Sequence, residues 1–227
     1  MLSDLFSTAH HKSGGLLIVV RECLAIVLGG TTGSVNERQK HFLKMAEKTV
    51  EKLTKLINEV FDLQQLAEGR MEFYMKSNDI NDVVKEVKKK TVSTAERSDV
   101  HFVDNLNYDL PKTLFDRDKI KWIISNLITD AFEATEKGSV TVTTKKVKNQ
   151  IQVTVQDTGK GLKQATVTHL LNDSESLEDE EKGEMDEIGL DLTISERIIE
   201  KHKGKFWAET ELGKGSAFHF TLPVKSK

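Results

Sequence analysis

The sequence is poor in cysteine and in proline. Its single cysteine, Cys23, lies in an apolar run, which excludes a disulfide framework and favours a reducing compartment. Two prolines in 227 residues leave room for long uninterrupted helices. The low proline content predicts a helix-rich chain. The single cysteine predicts a chain that is cytoplasmic or is the cytoplasmic part of a longer protein.

The sequence also lacks a long hydrophobic run. The longest candidate, residues 16–28, is interrupted by Arg21 and Glu22, and no small-residue cleavage site follows it. A span of this length and polarity is too short to cross a bilayer and does not resemble a signal peptide. We therefore expect a helix in the core of a bundle and no membrane contact by this segment.

Neither sign of charge predominates. The formal net charge is −3, although 30% of the residues are charged, because 33 Lys and Arg nearly balance 36 Asp and Glu. Such a balance is typical of a soluble globular protein and gives no basis for nucleic-acid binding.

The first 70 residues carry a helical pattern. One helix is predicted from about Asp4 to Leu28 and a second from about residues 34–36 to Glu68, with glycines between them. A rod of about 50 Å is too long to bury its apolar stripe against one short partner, so we expect a dimeric four-helix bundle. The stripe of the second helix consists of Phe42, Ala46, Val50 (or Thr49), Leu53, Ile57 (or Leu56), Val60 and Leu63.

The pattern changes after Gly69, where short alternating segments replace the long helix. The predicted fold class is therefore α+β, with a helical hairpin over 1–70 followed by an α/β sandwich domain over 71–227. Within the second domain the predicted strands are 71–75, 100–103, 139–146, 150–156, 205–210 and 216–222. The predicted helices are 79–95, the segment that Asp116 caps as far as about 135, and 188 or 189 to 202.

The candidate functional stretch of the second domain is Gln156-Asp157-Thr158-Gly159-Lys160-Gly161-Leu162. It follows an alternating strand, so it offers one carboxylate at a sheet edge and two glycines that let the backbone approach a flat ligand. The Asp157 carboxylate can accept a hydrogen bond from an exocyclic amine such as that of adenine. A tight hairpin turn would explain the same residues without any ligand.

An acidic run lies between this turn and the last predicted helix. Residues 173–187 contain nine acidic side chains and one lysine, with almost nothing apolar. A solvated loop is the simplest interpretation of such a composition.

The order of the motifs resembles the catalytic core of bacterial sensor histidine kinases over essentially the whole chain. The resemblance rests on Asn126-Leu127-Ile128-Thr129-Asp130-Ala131, on Asp157-Thr158-Gly159-Lys160-Gly161, on Gly189-Leu190-Asp191-Leu192, and on the closing segment 202–223. It implies a dimerisation and histidine-phosphotransfer hairpin followed by an ATP-binding domain of the gyrase, histidine kinase and MutL type.

The resemblance implies a phosphoacceptor histidine on the first helix. His11 fits the helix register better than His10, because choosing His10 would bury Lys12 on the core face. Neither histidine is followed by the carboxylate that the family uses to orient or deprotonate the ring. Two surface histidines near a helix start are the alternative interpretation.

The resemblance also implies a nucleotide site. Asp157, Gly159 and Gly161 would hold the adenine, Gly189 and Leu190 would belong to the lid over the phosphates, and Asn126 and Asp130 would bind Mg²⁺. Asp130 replaces the family's second asparagine; its oxygen suits Mg²⁺ but opposes a triphosphate without metal. Glu187 and Asp191 replace two lid glycines and oppose the phosphates as well. The sequence therefore predicts a better preserved adenine end than phosphate end, with ATP and Mg²⁺ as the implied but opposed ligands.

The second helix carries a lysine face that is either merely solvated or docks an acidic partner. The resemblance implies that the partner is the receiver domain of a response regulator. Three functions stay open: an active kinase core, a pseudokinase scaffold, and an ATP-independent histidine phosphotransferase. The lysines are Lys40, Lys44, Lys48, Lys52 and Lys55.

Overall fold

A computed structural model describes residues 2–92, 99–162 and 182–224, with the backbone alone for 2–11, 92 and 182–188. The chain divides into two compact units, Met1–Met71 and Glu72–Lys227. No helix in the described ranges combines the length and the apolar content that crossing a membrane requires.

The first unit is a helical hairpin. Helix α1 spans Leu2–Leu28 and helix α2 spans Glu37–Ala67. Asn36 and Gln39 form a capping box at the start of α2, with each side chain bonded to the other's backbone at 2.9 Å. Gly69 follows the end of α2 and has φ +65°, a conformation that glycine adopts without steric cost. Both helices predicted from the sequence are confirmed.

The apolar residues of α2 occupy two different sides of the helix. Leu43, Val50 and Ile57 are partly buried, whereas Phe42, Leu53 and Val60 remain 58%, 45% and 48% exposed. Residues 42, 53 and 60 share one face because their spacings of eleven and seven are close to whole helical turns. The hairpin therefore leaves one apolar stripe of α2 uncovered.

The second unit is built on a five-stranded mixed sheet. Its strands are β2 (Val100–Leu106), β4 (Gly138–Val147), β5 (Gln150–Asp157), β6 (Phe206–Glu211) and β7 (Gly215–Pro223), in the order β2-β4-β5-β7-β6. Only β2 and β4 run parallel; the other neighbours are antiparallel. A separate antiparallel pair is formed by β1 (Met75–Asn78) and β3 (Thr113–Asp116).

The described ranges of this unit also contain the helices α3 (Ile80–Val87), α4 (Arg117–Ala134) and α5 (Lys182–Lys201). Alternate residues of β5, including Ile151, Val153 and Val155, are buried on the face of the sheet that the helices cover. The predicted α/β sandwich is confirmed as a mixed sheet with packed helices. Asp116 caps α4 as predicted, because its Oδ1 accepts from the amides of Asp118 and Lys119 at 3.0 and 3.1 Å.

Three predicted boundaries were wrong. The first strand lies at Met75–Asn78 instead of 71–75, because it pairs with β3, which the sequence pattern missed. Helix α3 ends at Val87 and continues as a wider π-helical turn, Lys88–Val92. Helix α5 begins at Lys182, not at 188 or 189, so the end of the acidic run is helical; the acidic residues 173–181 lie outside the described ranges.

Candidate functional site

Asp157 stands at the end of β5 and is 3% exposed. Its Oδ1 accepts a hydrogen bond from the Gly159 amide at 2.8 Å, and its Oδ2 accepts one from the Ser216 amide at 3.2 Å. Burial raises the pKa of Asp157, while these two amides act in the opposite direction. A carboxylate oxygen can accept two hydrogen bonds, so the Asp157 carboxylate retains acceptor capacity for a ligand donor.

The two glycines of the turn are required by the packing of the chain itself. A β-carbon on Gly159 would overlap the carbonyl oxygen of Ala134, and one on Gly161 would overlap that of Glu211. Gly161 also has φ +63°, which disfavours any larger residue. The turn interpretation of these glycines is thus supported by direct contacts, and a ligand is not needed to explain them.

Helix α4 connects this turn to a second cluster of polar side chains. At its C-terminal end the Ala134 carbonyl accepts a hydrogen bond from the Lys160 amide at 3.3 Å. Asn126, Asp130 and Ala134 are spaced by four residues and so share one face of the helix. At 1.5 Å per residue, Asn126 lies about 12 Å along the helix from the Asp157 turn.

Helix α5 meets this face of α4 through Asp191. The Asn126 Nδ2 donates to Asp191 Oδ1 at 3.2 Å, and Asp191 is only 2% exposed. Gly189 and Leu190 directly precede Asp191; Gly189 is buried, Leu190 is partly buried, and the Gly189 carbonyl accepts from Thr193 Oγ1 at 2.9 Å. The structure therefore brings the Asn126 and Asp191 side chains together, which the sequence did not predict.

Several predicted site residues cannot be placed at side-chain level. The backbone of His10 and His11 is part of α1, and that of Glu187 is part of α5, but their side chains lie outside the described residues. Asp130 lies one turn beyond Asn126 on α4 and is partly buried. Within the described residues, no group of three or more His, Cys, Asp and Glu side chains is arranged to hold a metal ion.

His202 is a buried polar residue that sequence reasoning noticed only as part of a motif. Its Nε2 accepts from the Asp116 amide at 2.9 Å, so its Nδ1, 2.7 Å from the Ile198 carbonyl, carries the proton. Burial lowers the pKa of His202, although the Asp116 carboxylate opposes this shift. The neutral ring joins the end of α5 to the start of α4.

The two ends of the site differ in the ligand groups that they suit. The Asp157 end offers acceptor oxygens to an amine-bearing planar ring. Toward Asn126, by contrast, a phosphate group would meet the Asp191 oxygen and an amide that is already engaged. The backbone amides of Gly189 and Leu190 lie seven and eight residues inside α5, where i→i−4 bonds use them. In this arrangement the residues suit a purine better than they suit a triphosphate.

The segment that contains the candidate site is similar to a known protein family. Residues 115–226 match the family described as histidine kinase-, DNA gyrase B-, and HSP90-like ATPase. The matched range contains α4, the Asp157 turn, α5 and the last two strands, which are all the elements of the candidate site.

The whole chain resembles the core of sensor histidine kinases. The adaptive-response sensory kinase SasA of Synechococcus sp. (strain JA-3-3Ab) is 27% identical over 198 residues, which are 86% of this chain and 52% of that protein. The chain thus spans about half the length of this curated relative.

Solved structures agree on the fold. Full-length ShkA, crystallised in complex with AMPPNP, matches with a TM-score of 0.75 at 20% identity over 99% of this chain and 46% of its own. The catalytic domain of histidine kinase ThkA matches with a TM-score of 0.53 at 26% identity over 69% of this chain and 100% of its own. The resemblance predicted from the sequence motifs is confirmed.

Proposed function

We propose that the chain is a two-component signalling module: a sensor histidine kinase core whose ATP chemistry is impaired. The observation that carries the proposal is the buried Asp157 at the end of β5, inside the segment that matches the ATPase family. Its acceptor oxygens would bind the exocyclic amine of adenine, with Gly159 and Gly161 shaping the turn beneath the ring. The protein would act in the cytoplasm, alone or as part of a longer sensor.

In this proposal residues 1–70 form the dimerisation and phosphotransfer domain and residues 71–227 the ATP-binding domain. The uncovered stripe of Phe42, Leu53 and Val60 supports homodimerisation, because a second hairpin would bury it in a four-helix bundle. His11, or His10 in the adjacent register, would carry the phosphoryl group. The phosphoryl group would then pass to an aspartate on the receiver domain of a response regulator.

The lysine face of α2 supports a receiver as partner. Lys40, Lys44, Lys48 and Lys52 are all exposed in the hairpin and follow one another at intervals of four residues. A basic face of this kind attracts an acidic surface and accelerates its docking.

The nucleotide proposed for the second domain is ATP, with Asn126 and Asp130 as the residues that would hold Mg²⁺. Gly189 and Leu190 would cover the phosphates when the lid is arranged to receive them. Asp130, Glu187 and Asp191 place carboxyl groups along this part of the site, and each opposes phosphates that bring no metal. This crowding of acidic groups is the reason for proposing impaired turnover.

A second candidate is a pseudokinase scaffold or an ATP-independent histidine phosphotransferase. It is favoured by the contact between Asn126 and Asp191, which engages the Asn126 side-chain amide. It is also favoured by the continuous helix from Lys182, which engages the backbone amides of Gly189 and Leu190. Phosphates would need these amides as donors. In this case the hairpin would still dimerise and bind receivers.

Phosphorylation of the purified protein distinguishes these candidates. With Mg²⁺ and ATP labelled in the γ-phosphate, we expect slow formation of an acid-labile phosphoprotein that His11→Ala, or His10→Ala in the adjacent register, abolishes. Label acquired only from a phosphorylated receiver would instead establish the phosphotransferase. Receiver binding without label from either source would establish the scaffold and refute the kinase.

A further inference from the structure

The Asn126–Asp191 contact lies on the path that a ligand anchored at Asp157 would follow along α4. Ala134, at the turn, and Asn126 share one face of the helix, about 12 Å apart. A nucleoside that binds at the turn reaches only part of this distance. A triphosphate that extends along the same face approaches the Asp191 oxygen.

The contact is also part of the folded structure of the unit. Asp191 is 2% exposed, and its neighbours Leu192 and Ile194 on α5 are buried in the core. Helix α5 is thus held against α4 at this position by packing as well as by the 3.2 Å hydrogen bond. A phosphate group that follows this face of α4 from the Asp157 turn would meet the Asp191 side chain beside Asn126.

We propose that Asp191 is a selectivity residue that makes the site favour an uncharged purine nucleoside over a nucleoside triphosphate. The proposal rests on the proposed purine site at Asp157 and adds to it the class of ligand that the site accepts. Asp191 acts in two ways. Its Oδ1 accepts a hydrogen bond from Asn126 Nδ2, which engages that amide group. Its carboxyl group also faces the incoming phosphates.

The test is a calorimetric titration of the full chain with adenosine, with ATP, and with ATP plus Mg²⁺. We expect the wild-type protein to bind adenosine more tightly than either form of ATP. Asp191→Asn removes the charge but keeps an acceptor for Asn126, and Asp191→Ala removes both. We expect each variant to raise the affinity for ATP at least about tenfold, with the affinity for adenosine changed less than about twofold.

The matched control is Glu200→Gln, which makes the same change of charge at an exposed position nine residues further along α5. It should leave the ratio of the ATP affinity to the adenosine affinity unchanged. Helical content, measured by circular dichroism, should be the same in all four proteins.

Three outcomes would overturn the proposal. Wild-type protein that binds ATP as tightly as adenosine, with or without Mg²⁺, would show that Asp191 excludes nothing. Equal gains for both ligands in the Asp191 variants would show a general effect on the fold. No adenosine binding by any of the proteins would refute the purine site itself. That result is distinguishable from adenosine binding with an unaltered ratio of the ATP affinity to the adenosine affinity, which would refute only the role of Asp191.

Discussion

His202 ties two separate parts of the second unit together through one neutral ring. It bonds the Asp116 amide at the start of α4 and the Ile198 carbonyl near the end of α5, and its ring lies edge-on to Phe73. A protonated ring would have no acceptor nitrogen for the Asp116 amide. A lower pH should therefore weaken the connection between the start of α4 and the end of α5 directly.

The pH dependence of stability tests this role. Because burial lowers the pKa of His202 in the folded protein, the unfolded chain takes up this proton first as the pH falls. The stability contributed by the neutral ring is complete above a pH of about 6.5 and is lost as the pH falls below that value. We expect the urea-derived free energy of unfolding to fall between about pH 7.5 and 5.5, and to fall less in His202→Gln.

The comparison of the two proteins isolates His202 from other groups. Burial also lowers the pKa of His219 and raises that of Asp157, but both residues are present in wild type and variant alike. The same pH slope in His202→Gln and in wild-type protein would contradict the assignment.

At the scale of elements, the capped helices were predictable and the short strands were not. Asn36 and Asp116 mark their helices because a cap acts on amides two or three residues away. Strands β1 and β3, of four residues each, exist through pairing with each other across 35 to 41 positions of sequence. Such a pairing leaves no periodic signal in either segment.

The start of α5 could not be predicted for a related reason. The sequence suggested that the lid glycine would begin the helix, but the helix begins at Lys182 and Gly189 lies inside it. Gly189 is buried there, so tertiary packing outweighs the low helix propensity of glycine. The Asn126–Asp191 contact, which joins residues 65 positions apart, depends on that packing.

The uncovered face of α2 gives a prediction about assembly. Leu53→Asp places a charge in the middle of the stripe that runs through Phe42 and Val60, and burial of that charge in a bundle would be costly. We expect the variant to be monomeric at concentrations where wild-type protein is dimeric, as measured by sedimentation equilibrium.

The control for assembly is Glu51→Lys, an exposed position on the opposite side of α2 from Leu53 and Val60. It should leave the dimer intact. A dimer that survives Leu53→Asp unchanged would exclude this stripe as the interface.

At the scale of the whole molecule, the chain consists of two compact units with different folds. The order of motifs along the sequence predicted the kind of each unit, because the hairpin periodicity and the Asp157 turn are local features. What the sequence left open was whether the acidic replacements in the lid matter. The structure adds the position of one of them: Asp191 is buried against Asn126, while Asp157 lies at the end of its strand.

The central claim is that Asp157 forms a purine site, and adenosine binding measures it most directly. Calorimetric titration of wild-type protein should show binding that Asp157→Asn weakens at least about tenfold, because an amide cannot replace both acceptor oxygens. Asp82→Asn, at an exposed position of α3, should bind as wild type does. Equal adenosine affinities for Asp157→Asn and wild-type protein, or no binding to wild-type protein at all, would contradict the claim.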